Sequence, residues 1–317
     1  TEQPDLDARE LCDCVQSDPA IAAKLLRAVN SSLYGLPREI ASLPQALALL
    51  GVEPLKLLVL GFALPDSLFK NLTGEALRRY WTETLTTAAA ARSIAETGWG
   101  RQGDEALVAG LLQGIGQLVL VGKLGDDYAS LLDSAAAKPM QPARSILPLE
   151  REALGFEHPE LSAELVRRWR LPERLARAIE VQSEGDVRAL TGDEACLGQS
   201  LRLANLLTRL VVGRDFGTLK TLLDEGGPYC GLTKQQLNTI AETLQDRVSQ
   251  LSEAMAIELE EGVDYQQTLV DAHAQMSLLS GPAAMRLMSQ PRSESEIDAD
   301  EQFSRELLLE AKRLSAS

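Results

Sequence analysis

Two histidines, four cysteines and an excess of carboxylates set the chemistry open to this chain. The histidines are His158 and His273. A hydrolytic metal centre gathers several imidazole and carboxylate ligands around a divalent ion, so this scarcity removes most such constellations. His273 lies in an amphipathic C-terminal region and reads as a surface or packing residue. The cysteines, Cys12, Cys14, Cys196 and Cys230, form no C-x-x-C pair. Cys12 and Cys14 would fall on different faces of a helix, and neither a disulfide framework nor a zinc knuckle is legible. Reduced, mostly buried thiols are expected. Cys196 and Cys230 have no histidine partner in sequence, and no serine sits in a G-x-S-x-G elbow. Gln113-Gly114-Ile115-Gly116 carries two glycines, but a P-loop also needs a preceding strand and a lysine, and Lys123 arrives too late. These glycines are expected to make a joint between two helices. Carboxylate pairs such as Glu150/Glu152 and Glu260/Glu261 are assigned to solvated helix faces, because an acidic chain supplies such pairs throughout.

The elements that must position these groups read as helices. The chain has 317 residues, 45% apolar and 24% charged, with only 4% aromatic. That composition buries a core and rules out a disordered chain. The net charge of −15 makes it a poor binder of nucleic acid or anionic membrane. No charged-then-apolar leader is visible, and an opening inside polar helical sequence fits a piece of a longer chain. The longest uncharged stretch, Ala106 to Gly122, falls short of a span of about 20 residues and is expected to be a buried core segment. A cytoplasmic location is expected.

Asp18-Pro19 offers an N-cap with proline at the first helical position, and Ile21, Leu25, Leu26 and Val29 recur at helical spacing. Shorter helices follow from Pro44 to Leu50 and from near Pro54. A long one opens at Thr73 and runs through Trp81 and Ala88 to Ala91, whose small side chains predict close helix approach. Another starts at Asp104 and ends at the double-glycine joint. Further helices are expected near 126–137, 144–154, 159–169, 172–183 and 193–213. Thr233 and Gln236 fit a capping box that opens a helix over 233–260, with an apolar stripe from Leu237 to Leu259. A helix near 264–279 follows, and an acidic, breaker-rich linker near 289–300 precedes an amphipathic helix at Phe303, Leu307, Ala311 and Leu314. No sustained period of two appears, so the fold is expected to be all-α.

Several blocks, in order, resemble a known family. Asp18-Pro19, Leu25-Leu26, Asn30-Ser31 and Tyr34-Gly35 come first, then Ala46 with Leu50-Gly51, and Trp81 with the alanine-rich helix. Ala109 to Gly116, Gly155 with His158, and Trp169, Leu171-Pro172 and Ile179 follow. Together they resemble the HDOD domain, the HD-related output domain of bacterial signalling proteins, over roughly residues 5–215. The resemblance implies a multi-helix HD-like bundle with an N-terminal helical subdomain (1–75), the bundle itself (76–215), supporting C-terminal helices (216–289), and an acidic linker with a connector helix (290–317).

Where this chain departs from the HD pattern is informative. An active HD phosphohydrolase holds metal through a His-Asp doublet, further histidines and a late aspartate. The doublet positions here hold Gln113 and Gly114, the later histidine pair falls at Gln182-Ser183, and the late aspartate is Asn205. Only His158 remains, and one neutral imidazole does not hold a catalytic divalent ion. The resemblance therefore implies a vestigial pocket of Gln113, Gly114, His158, Gln182 and Asn205, with no metal or other cofactor and no catalysis. Gln113 and Asn205 would be free to hydrogen-bond where an ion would sit. The implied partners are signalling proteins or a fused receiver, GGDEF, EAL or kinase-type module, with no nucleic acid and no membrane. Two alternatives stay open: a metal-dependent phosphohydrolase acting on nucleotides or cyclic dinucleotides, and a small-ligand sensor using the vacated pocket. Asn30, Ser31 and Tyr34 are candidates for a recognition loop, or else plug the joint between the N-terminal helices and the bundle. Arg167, Arg168, Arg170, Arg174 and Arg177 form a basic cluster that either meets an acidic partner or balances local carboxylates.

Overall fold

The computed structural model describes residues 18–31, 34–36, 39–62, 74–100, 103–135, 145–181 and 184–279, with Leu11 and Val15. In chain order the helices are α1 (Pro19–Val29), α2 (Leu43–Leu50), α3 (Val52–Phe62), α4 (Gly74–Trp99), α5 (Asp104–Leu112), α6 (Ile115–Leu124), α7 (Asp126–Ala135) and α8 (Leu147–Leu154). They continue with α9 (His158–Arg168), α10 (Glu173–Glu180), α11 (Glu184–Ala189), α12 (Gly192–Val211), α13 (Thr218–Cys230), α14 (Lys234–Met255) and α15 (Tyr265–Leu279). The fold is all-α, with no strand among the described residues. The chain divides into two compact units, Thr1–His273 and Ala274–Ser317. In the second, the described residues are those that end α15.

Helix α4 is the axis of the first unit. It is buried almost continuously from Tyr80 to Ala95 and packs against α5, α12 and α14. The alanine run explains how so many neighbours fit. Ala88 to Ala91 are fully buried, and a Cβ on Gly110 of α5 would stand 2.4 Å from the Ala88 Cα, so only glycine allows that approach. Buried threonines along α4 find partners, as buried hydroxyls must. The hydroxyls of Thr86 and Tyr265 lie 2.8 Å apart, those of Thr87 and Thr208 2.9 Å, and Thr82 Oγ1 accepts from the Glu260 N–H at 2.9 Å.

The capping signals hold. Asp18 Oδ1 accepts from the Ile21 N–H at the start of α1, and Thr233 with Gln236 forms the reciprocal capping box of α14. Some assignments differ from expectation. Helix α14 stops at Met255, not near residue 260, because Ala256 turns left-handed with φ +56°. Helix α13 lies where no helix was assigned, and it tolerates Pro228 inside its last turn. The run Asp104–Leu124 is long and apolar enough to cross a membrane by length and composition. It is divided at Gln113-Gly114 into α5 and α6, which pack onto α4, α9 and α12. Gln182-Ser183, Cys12, Cys14 and residues 290–317 lie outside the described residues.

Candidate functional site

The double-glycine joint between α5 and α6 is where the sequence-derived site residues meet. The Gln113 side chain faces Asn205 of α12, and the two amides pair reciprocally. Gln113 Nε2 donates to Asn205 Oδ1 and Asn205 Nδ2 donates to Gln113 Oε1, each at 2.9 Å. Ser162 of α9 ties the same joint from its backbone side. Its hydroxyl donates to the Gln113 carbonyl at 2.6 Å and accepts from the Gly116 N–H at 2.8 Å. Gly116 has no room for a side chain, since a Cβ there would lie 2.2 Å from the His158 carbonyl oxygen. Gly114 abuts the Tyr80 ring, whose nearest carbon would be 3.2 Å from an added Cβ.

His158 opens α9 one turn before Ser162, and its imidazole points to Glu150 of α8. Nδ1 lies 2.9 Å from both carboxylate oxygens, and the His158 N–H donates to Glu150 Oε2 at 2.9 Å. The Tyr128 hydroxyl of α7 donates to Glu150 Oε1. Glu150 is fully buried. Burial alone would raise its pKa; the hydrogen bonds and charge of His158, with the Tyr128 hydroxyl, outweigh that and hold it below the ordinary carboxylate value. Burial and then Glu150 push the Tyr128 phenol well upward. The assignment of Glu150 to a solvated face is thus corrected: it is the buried anchor of His158. The available signal was its place between Leu147 and Leu154 on one helical stripe. Tyr128 and Ser162 carried no comparable signal.

The donors do not fit a divalent cation. The Gln113 and Asn205 amides use each other, Gly114 offers no donor, and Glu150 already accepts from three groups. Among the described residues no group of three or more His, Cys, Asp or Glu is placed to hold a metal.

The remaining candidates lie apart from this joint. Asn30 clamps its own loop, donating to the Ile40 carbonyl at 2.8 Å and accepting from the Ile40 N–H at 2.7 Å. Ser31 is buried, and its hydroxyl donates to the Ala28 carbonyl at 2.6 Å. The Tyr34 hydroxyl donates to Asp104 at 2.8 Å, and the Arg92 guanidinium lies 4.1 Å from the centre of its ring. Burial first, then Asp104, raises the Tyr34 phenol far above its ordinary value. Most of the arginine cluster is matched by carboxylates. Arg167 meets Glu173 and Glu180, Arg168 meets Glu164, Arg174 meets Glu105 and Arg177 meets Glu180. Cys196 and Cys230 are half-buried thiols that form no disulfide, and burial raises the Cys230 thiol.

A family model for the HDOD domain matches residues 1–184. The chain belongs to the HDOD domain family. An uncharacterized protein of Treponema pallidum (strain Nichols) is 25% identical to this HDOD chain over 251 residues, 77% of the chain but 46% of that protein. The chain thus spans about half the length of that relative. Among solved structures, one named "Putative phosphohydrolase" from Shewanella amazonensis SB2B aligns with a TM-score of 0.58 at 20% identity, covering 78% of this chain and 87% of that one. An HDOD domain protein with unknown function from Geobacter sulfurreducens aligns at 0.50 and 21% identity, covering 88% and 86%. One named "Putative signal transduction protein" from Marinobacter aquaeolei VT8 aligns at 0.55 and 22% identity, covering 78% and 55%. At these identities the likeness is one of fold.

Proposed function

We propose that this HDOD chain is a non-catalytic regulatory module of bacterial signal transduction, acting in the cytoplasm through protein contacts on an HD-like scaffold. The observation that carries this reading is the reciprocal Gln113–Asn205 amide pair. By the resemblance, Gln113 stands at the first position of the HD metal-binding doublet and Asn205 at the late aspartate. Two neutral amides that satisfy each other have no reason to exchange that partnership for a hydrated divalent ion, which binds anionic oxygen or imidazole far better. Gln113, Gly114, His158, Asn205 and, on sequence grounds, Gln182 form the vestigial pocket in this reading. The family assignment supports the signalling context, and the name of the Marinobacter neighbour is in keeping with it. The division into an N-terminal subdomain to about residue 75 and a bundle to about 215 is part of the same proposal, as is action beside a receiver, GGDEF, EAL or kinase-type partner.

The test is direct. The purified chain is titrated with Mn²⁺, Fe²⁺ and Zn²⁺ by calorimetry and assayed against bis-p-nitrophenyl phosphate and cyclic dinucleotides. No stoichiometric binding and no hydrolysis are expected. Phosphodiester cleavage that chelators abolish and Asn205→Ala removes would overturn the reading in favour of a metal-dependent phosphohydrolase.

A further inference from the structure

Helix α9 ends in a Schellman turn. The Leu171 N–H donates to the Val166 carbonyl at 3.2 Å and the Arg170 N–H to the Arg167 carbonyl at 2.9 Å. The left-handed position of such a turn usually holds glycine. Here it holds Arg170, with φ +56°. An L side chain in that conformation is strained by its own Cβ. Arg170 is exposed and makes no ion pair among the described residues. Beside it Trp169 is 38% exposed, and Arg168 keeps 72% of its side chain in solvent. Tryptophan and arginine are the residues that most often anchor protein interfaces.

Immediately after this corner, the start of α10 forms one wall of an open groove of about 860 Å³, and the start of α12 forms the other. Its lining carries Glu173, Asp193, Glu194 and Arg174; Glu173 meets Arg167 and Arg174 meets Glu105, so the acidic side of the groove that faces a partner is at Glu194. A cationic, aromatic-tipped projection thus stands next to an acid-lined groove. That arrangement is complementary to itself: across a two-fold axis each copy offers the groove that the other's corner needs. Nucleic acid fits less well. A phosphate backbone draws on several unmatched cations, whereas Arg167, Arg168, Arg174 and Arg177 already face carboxylates.

We propose that the α9–α10 corner is a homodimer interface, in which Trp169 and Arg170 of one copy sit in the α10–α12 groove of a second copy, with Arg170 facing Glu194. The inference does not depend on whether the chain is catalytic. Sedimentation equilibrium on the full chain tests it. The wild type is expected to dimerise reversibly. Trp169→Ala is expected to weaken the dimer tenfold or more. Arg170→Gly removes the left-handed strain, so its melting temperature is expected to hold or rise while association falls; this separates docking from misfolding. Arg170→Glu abolishes the dimer, and Arg170→Glu with Glu194→Arg restores it. A wild type that stays monomeric over its whole soluble range overturns the proposal. So does a dimer indifferent to these changes, a charge swap that fails to rescue, or a monomer that binds an oligonucleotide through Arg170.

Discussion

Glu150 holds a negative charge where water does not reach it, and three donors from two neighbouring residues keep it there. Its folded pKa lies below the ordinary value, so its ionised form contributes stability at neutral pH. That contribution is present above the unfolded carboxylate value, about 4.3, and is lost as pH falls through it toward the folded value. Glu150→Gln is therefore expected to cost about 2–3 kcal/mol at pH 7 and to flatten the acid limb of stability, as read by urea denaturation from pH 7 down to about 2. An unchanged acid limb would show that Glu150 is not the group responsible. The amide pair invites a second measurement. A double-mutant cycle on Gln113→Ala and Asn205→Ala is expected to return a coupling of about 1 kcal/mol in chemical denaturation. Gln113 and Asn205 stood out in the sequence as neutral residues where the HD pattern has ligands. Glu150 did not, because forty-six acidic residues give any one of them little meaning until its helical stripe is drawn.

Helix types were legible because the signals are local: caps, apolar stripes, and small residues where backbones converge. Boundaries were less so. Helix α13 was obscured by Gly226-Gly227-Pro228, yet packing on α12 overrides the local penalty. Leu219 and Leu222 are buried there, and Glu225 pairs through both oxygens with Arg202 of α12 at 2.8 and 3.0 Å. The stripe of α14 continued in sequence past the point where Ala256 turns left-handed. Ala256→Gly is accordingly expected to raise stability by about 1 kcal/mol, seen as a higher denaturation midpoint with an unchanged slope. At the α5–α6 joint the direction reverses. Gly116→Ala would drive a Cβ into the His158 backbone, and a loss of about 3 kcal/mol or failure to fold is expected on thermal melting.

Long-range contacts hold the first unit together, and apart from Gln113 with Asn205 the sequence showed none of them as pairs. Arg92 of α4 reaches Asp104 at 2.9 Å and Glu96 at 2.7 Å, with Tyr34 beneath its guanidinium. Arg247 of α14 joins Glu96 at 3.2 Å and the Ser93 hydroxyl at 2.8 Å. Residues separated by 70 positions, as Tyr34 and Asp104 are, carry no periodicity that would reveal them. Arg92→Leu would leave the buried Asp104 carboxylate without its guanidinium, and a cost of about 3–5 kcal/mol is expected. The Tyr34 loop should then be cut faster in limited proteolysis. At the opposite end of this scale, the Gln113–Asn205 pairing contains no group that titrates near neutrality. A shift in pH leaves those two hydrogen bonds in place, whereas two carboxylates at the same spot would push apart as they ionised.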